Sequence, residues 1–216
     1  MGANALRPSA LSSDALAAIQ DPGSNGDLSR ELLKYAVSCA LGSSQAFEFS
    51  WVDVNNNTHN ESYAGLLGLA PDWASGALDS DGQRWISACL ISRVNYFGIS
   101  VMLSSRGALS ALGTSADERN AFTMLEGAFW GNVFTSTPTA YACHYTTNEA
   151  HSRAADRVCA AGYIDGSGTV QSCSIIQRLG SCATACGSLT NGQYYSSCSS
   201  DAGQSFSTAV ITVFLQ

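Results

Sequence analysis

The sequence predicts an α+β protein: an antiparallel sheet with two main helices packed on one face and a disulfide-tied, loop-rich C-terminal subregion. Three observations carry that expectation. Two stretches, 27–41 and 81–97, repeat apolar residues at helical spacing. Several short runs, clearest at 46–54 and 207–216, are β-branched, aromatic or alternating. Five of the eight cysteines fall between residues 159 and 198, where large apolar residues thin out.

In chain order, residues 1–26 carry little core pattern. Ser12-Ser13-Asp14 can cap a short helix over 15–20, which Asp21-Pro22-Gly23 breaks. The stretch reads as an arm or linker, ordered only where it docks. Asp27 then caps a helix to Leu41, stopped by Gly42, with Leu32, Leu33, Tyr35, Ala36, Cys39 and Ala40 as its buried stripe. Residues 46–54 alternate Phe47, Phe49 and Trp51 against Glu48 and Ser50, a half-buried strand. The Asn55-Asn56-Asn57 turn leads to a returning partner at 62–69.

The central helix, 81–97, places Trp85, Ile86, Cys89, Leu90, Val94 and Phe97 on one half of the cylinder and ends at Gly98. Arg93 projects from the middle of that apolar half, so it must pair, snorkel or line a cavity. A strand is expected at 99–104, and Ser115 with Glu118 forms a capping box opening a short helix to Phe122. Another strand is expected at 140–145 and a helix carrying Cys159 at 149–160. Residues 161–206 form a cysteine-rich subregion too poor in apolar residues for a core of its own, so 27–216 reads as one domain. The uncharged run S-T-A-V-I-T-V-F-L-Q at 207–216 is the strongest strand signal. At an exposed edge it would pair with another chain, so it is expected inside the sheet.

Composition excludes several functions. Nine arginines and one lysine against 17 acidic residues give a net charge of −7, which disfavours nucleic acid and anionic lipid surfaces. No apolar run is long enough to span a membrane. Met1-Gly2 opens no segment with the charged and apolar regions of a secretory signal, so an exported form would be the mature chain with a start codon added.

Eight cysteines, Cys39, Cys89, Cys143, Cys159, Cys173, Cys182, Cys186 and Cys198, point to an oxidising compartment and up to four disulfides. Zinc would be signalled by paired C-x2-C knuckles, whereas the only close pair is Cys182-x3-Cys186. Cys39 and Cys89 both sit on buried helix faces, and a bridge between them would stabilise by about 4 kcal/mol.

Candidate chemistry is sparse. Glu126 lies between Leu125 and Gly127-Ala128-Phe129-Trp130, an apolar setting that favours a proton-holding carboxyl. With Asp72 as second carboxylate, and Trp73 and Trp130 as stacking platforms, it sketches a glycan hydrolase. The simpler reading pairs Glu126 with Arg93 in a buried ion pair. Tyr96 and Arg93 join the tryptophans as candidate contacts to a glycan or protein surface, although the aromatics read equally well as core. His59, His144 and His151 match no metal-ligand spacing, no G-x-S-x-G occurs, and no cofactor-binding motif is found. Asn56-Asn57-Thr58 and Asn60-Glu61-Ser62 match the glycosylation sequon. Self-association through the N-terminal arm or the C-terminal strand is a further expectation.

Four stretches, L-L-K-Y-A-V-S-C-A-L at 32–41, R-V-N-Y-F-G at 93–98, L-E-G-A-F-W-G-N-V-F at 125–134 and V-I-T-V-F-L at 210–215, resemble segments of uncharacterised exported, cysteine-rich proteins of myxobacteria. The resemblance implies secretion or surface exposure. It implies no activity, cofactor or catalytic residue. The chain is therefore expected to be a secreted or cell-surface protein with a recognition or structural role, the glycan hydrolase standing as the alternative.

Overall fold

The computed structural model describes residues 4–95, 100–145, 163–171, 175–200 and 206–216. It is α+β, with sheets that are antiparallel except at one strand pair, and divides into two compact units, Met1–Ile86 and Ser87–Gln216.

The first unit begins with helices α1 (Ser13–Gln20) and α2 (Ser24–Ala40). Ser12 caps α1 as its sequence predicts, its Oγ accepting from the Ala15 N–H. The stretch expected to be an arm is instead docked: the Leu6 N–H donates to the Trp73 carbonyl at 2.7 Å, the Trp73 indole donates to the Asn4 carbonyl at 2.6 Å, and Ala5, Leu6 and Ile19 are buried. Subunit exchange through this segment would have to break those contacts.

Helix α2 starts three residues before the expected cap, and its buried face is rotated. Gly26, Arg30, Leu33, Ala36, Val37, Cys39 and Ala40 point inward, whereas Leu32 and Tyr35 are exposed. The close crossing with the chain after α1 decides this. A Cβ on Gly26 would stand 1.9 Å from the Asp21 carbonyl oxygen, so only glycine allows the approach that turns the 26–30–33–37 face inward.

Strands β1 (Ala46–Val52) and β2 (Thr58–Ala64) form a separate two-stranded antiparallel hairpin rather than part of the main sheet, with register Phe47↔Tyr63, Phe49↔Glu61 and Trp51↔His59. The expected alternation is present, Phe47 and Phe49 being buried and Glu48 and Ser50 exposed. A 3-10 turn, Pro71–Ala74, then leads to α3 (Ser80–Arg93), which runs across the division between the units.

Helix α3 is buried on more of its circumference than an amphipathic stripe allows. Trp85, Ile86, Cys89 and Ile91 are buried as apolar residues, but so are Ser87, Ala88 and Ser92, while Val94 is exposed. Small residues make this tolerable because their hydroxyls find partners. Ser87 Oγ accepts from the Val133 N–H at 2.9 Å, and Ser92 Oγ donates to the Cys89 carbonyl at 2.8 Å. The helix ends at Arg93, with Val94 and Asn95 already non-helical, so it stops short of the expected end at Phe97-Gly98. Tyr96, Phe97 and Gly98 themselves lie outside the described residues.

The second unit is built on a five-stranded sheet of β3 (Ser104–Arg106), β4 (Met124–Asn132), β5 (Thr139–His144), β8 (Ile176–Ser181) and β11 (Ile211–Leu215). Their order across the sheet is β3-β11-β4-β5-β8. The pairs are antiparallel except β5 with β8, which run parallel. The expected strand at 99–104 is shorter and later, a three-residue edge piece. The C-terminal strand lies inside the sheet, flanked by β3 and β4 and buried along its length. Both of its edges are taken, so it offers no free backbone for another chain.

Minor hairpins join β6 (Tyr163–Ile164) to β7 (Val170–Gln171) and β9 (Cys198–Ser199) to β10 (Phe206–Ser207). The short helices α4 (Ala116–Ala121) and α5 (Cys182–Ala185) complete the unit. Ser115 caps α4 as predicted, but the Glu118 carboxylate accepts from Ser104 Oγ at 2.8 Å instead of closing the capping box. The helix expected at 149–160, with His151 and Cys159 on it, falls outside the described residues.

Candidate functional site

Glu126 sits on β4 at a break in pairing. Phe214 faces Leu125 and Val213 faces Gly127, so Glu126 is the extra residue of a β-bulge. Its carbonyl still accepts from the Tyr145 N–H at 2.8 Å, and its side chain is 0% exposed. Gly127 beside it is obligatory, because a Cβ there would stand 2.1 Å from the Cys143 carbonyl oxygen. Across from Gly127 lies His144, also buried, with Arg178 Nη2 3.4 Å from its Nε2. Glu126, Arg93, His144 and Arg178 all have polar or electrostatic partners.

The other residues of the hydrolase sketch are placed as follows. Trp130 is 2% exposed and packs on the disulfide side of the sheet, stacked near Tyr141 at 5.9 Å between ring centroids. Trp73 is 3% exposed and tied to Asn4. Neither presents a ring face for stacking. Asp72, next to Trp73, is exposed in the first unit. Arg93 is half-buried at the end of α3.

The sulfur chemistry is concentrated at one place. Cys143 on β5 bridges to Cys182 at the start of α5, and Cys186, just after α5, bridges to Cys198 on β9. The two bridges touch, with Cys143 Sγ and Cys186 Sγ 3.6 Å apart. Around them close Leu125, Ala128, Trp130, Ala185, Tyr195, Val210 and Phe214. By loop entropy the bridges stabilise by about 4 and about 3 kcal/mol, the longer loop giving more.

Cys39 and Cys89 are likewise in disulfides, and no described cysteine is free. Cys159 and Cys173, counted with the other six as bridge-forming, lie outside the described residues, so the expectation of disulfides is met at Cys39, Cys89, Cys143, Cys182, Cys186 and Cys198 alone. Among the described residues, Cys143, Cys182 and Cys186 are also the one His, Cys, Asp or Glu group tight enough for a metal, their sulfurs within 4.8 Å of one another. Oxidised sulfur offers no thiolate to ligate one.

The same unit carries Arg106, buried on β3. Its Nε donates to Ser104 Oγ at 2.9 Å, Nη1 to Gln193 Oε1 at 3.0 Å and Nη2 to the Phe122 carbonyl at 2.7 Å, and its guanidinium lies 3.7 Å over the Phe214 ring. Burial pulls its pKa below the usual arginine range, with Glu118 opposing. This is a structural cation.

In the first unit the β1–β2 hairpin carries open surface. A shallow groove is lined by Glu48, Phe49, Ser50, Asn60, Glu61 and Ser62. Its outer rungs are polar pairs: Ser50 Oγ donates to Asn60 Oδ1 at 2.8 Å, and Ser62 Oγ reaches Glu48 Oε1 at 3.5 Å. Trp51 is contacted by the Arg30 guanidinium at 3.8 Å and by His59, stacked at 4.4 Å.

Sequence reasoning overlooked Asp53, which organises the hairpin turn. Its Oδ1 accepts from the Asn55 and Asn57 N–H groups, and its Oδ2 lies 3.1 Å from His59 Nε2. Asp165 repeats the device between β6 and β7, Oδ1 accepting from the Ser167 and Thr169 N–H groups and Oδ2 from Gln171 Nε2. In both turns the fourth residue, Asn56 or Gly168, has positive φ. The pattern D-x-[NS]-x-[NT]-x-[HQ] was the available signal. His59 first, then Asn57, holds the Asp53 carboxyl well below the usual range, and Ser167, then Gln171, brings Asp165 to about 2.

Compared with family models, curated proteins and solved structures, the chain matches none.

Proposed function

We propose that this chain is an exported or surface-displayed recognition or structural module, stabilised by disulfides and acting through its surface rather than by transforming a substrate. The observation that carries the reading is the oxidation of every described cysteine, two of the bridges packed together in the core of the second unit. Reducing compartments keep thiols open, so such a core belongs outside the cytosol. The resemblance to exported cysteine-rich proteins points the same way. The polar outer rungs of the β1–β2 hairpin, with hydroxyl, amide and carboxylate groups in register, are the surface best suited to contact a glycan or a protein.

The hydrolase alternative loses support from the site itself. A general acid must reach substrate within hydrogen-bond distance, and Glu126 has no exposed surface. Trp73 and Trp130 are likewise enclosed.

The compartment is tested by alkylating the protein under denaturing, non-reducing conditions, directly from the cells or medium that make it. No alkylated cysteine is expected, Cys159 and Cys173 included; a set of free thiols sinks the proposal. The mode of action is tested on glycan and peptidoglycan panels with wild type and Glu126→Gln. Equal product release, or none from either, is expected, whereas release by wild type that disappears in the variant restores the enzyme reading.

A further inference from the structure

The two touching bridges have a property that separate ones lack. Of the four cysteines, Cys143, Cys182 and Cys198 are 0% exposed, and only Cys186 is partly open to solvent. Cys182 and Cys186 stand one helical turn apart, the Cys186 N–H donating to the Cys182 carbonyl at 2.8 Å, so α5 offers both sulfurs to the same neighbour. That neighbour, Cys143, is fixed in β5 opposite Ala128 of β4. Its Sγ is bonded to Cys182 and in van der Waals contact with Cys186 Sγ at 3.6 Å.

We infer that the four sulfurs form a disulfide relay, in which reduction of the accessible Cys186–Cys198 bridge is passed inward to Cys182 and leaves a Cys143–Cys186 bridge. The relay operates wherever a dithiol is present, whatever the compartment. The dithiol supplies the two electrons. Its first thiolate attacks Cys186 Sγ; the Cys186–Cys198 bond breaks, and Cys198 leaves as a thiolate and takes a proton. The second thiol displaces Cys186 from the mixed disulfide, closing the oxidised dithiol ring and releasing a Cys186 thiolate. That thiolate attacks Cys143 Sγ. The Cys143–Cys186 bond forms as Cys143–Cys182 breaks, and Cys182 leaves as a thiolate that takes a proton. The last step consumes no further electrons.

Buried disulfide sulfurs are poor targets for an external thiolate, so a reductant cannot open Cys143–Cys182 directly at a comparable rate. The relay supplies the route. Its consequence is that α5 changes the sulfur by which it is pinned to the sheet, from its first residue to the residue that caps its end.

The test is a limited titration of the oxidised, full-length protein with dithiothreitol, acid quenching, alkylation and a non-reducing peptide map. In molecules carrying two alkylated cysteines, one of them Cys198, the second is expected at Cys182, with Cys143 and Cys186 joined. Finding the second at Cys186, with Cys143–Cys182 intact, overturns the relay. A Cys198→Ser chain gives an independent reading without reductant, because Cys186 then starts as a thiol. Its Cys182 is expected to be alkylated in roughly a tenth of molecules or more, the share left by a tenfold preference for either isomer. Alkylation confined to Cys186 counts against the relay.

Discussion

Arg30 lets the docking of the N-terminal segment be tested quantitatively. Its Nη1 donates to the carbonyls of Ile19 at 2.9 Å and Asp21 at 2.8 Å, the last turn of α1 and the residue that ends it. Nη2 reaches Asp27 Oδ1 at 2.6 Å, and the guanidinium lies over Trp51. A cation on C-terminal carbonyls completes hydrogen bonds that α1 cannot make internally and opposes its dipole. Arg30→Met keeps most of the packed stem and removes all of this. Two charge-assisted bonds are worth about 1.5–3 kcal/mol each, and releasing the arginine from its fixed rotamer returns about 1–2 kcal/mol. The Asp27 pair adds at most about 1 kcal/mol, because Asp27 is 73% exposed. The ring contact adds about 1 kcal/mol.

The net expected loss is therefore about 2–7 kcal/mol, read by urea unfolding or as faster hydrogen exchange of the α1 amides. Arg30→Lys should recover less than half, because one ammonium cannot reproduce the planar fork. The Arg30→Met and Trp51→Leu pair should show a coupling of about 1 kcal/mol. An Arg30→Met variant within about 0.5 kcal/mol of wild type, with α1 exchange unchanged, would refute the argument, since that is the effect of an ordinary surface change.

Other outcomes follow from the same contacts. Gly127→Ala should cost more than about 3 kcal/mol or prevent folding, because its Cβ meets β5 backbone at 2.1 Å; Gly166→Ala, with nothing within 4 Å, should lie within about 0.5 kcal/mol. Thermal melts of the two variants check both. Asp165 should titrate near 2 by carbon-detected NMR instead of near the ordinary 3.8. Because the folded value is the lower one, its stabilising contribution is complete above about 4 and is lost as pH falls through about 2. Ser167→Ala should move that midpoint upward. A midpoint near 3.8 in wild type would show that the turn does not hold its carboxylate.

Local signals in this chain were legible where a few adjacent residues set the backbone. Ser12 and Ser115 were recognisable as caps, and the 46–52 alternation as a strand, because each depends on contacts within a turn or a single face. The sulfur content pointed to disulfides on composition alone. β4 was not recognisable: Leu125 to Gly131 is buried without alternation, contains two glycines and carries Glu126 on a bulge. Its role as the middle strand comes from pairing with β11 and β5, the first of them far from it in the chain. The inward face of α2 was misjudged because Gly26, an unremarkable residue in the pattern, sets how closely the chain after α1 can approach.

Composition and short-range hydrogen bonding were enough to set the α+β class, the oxidised character of the molecule and the positions of its best-capped helices. It took the folded chain to enclose Glu126, Trp73 and Trp130 and to place Cys143 between two competing partners. Burial and sulfur proximity are set by which distant strands meet, and that free energy is distributed over the whole sheet rather than written in any one stretch.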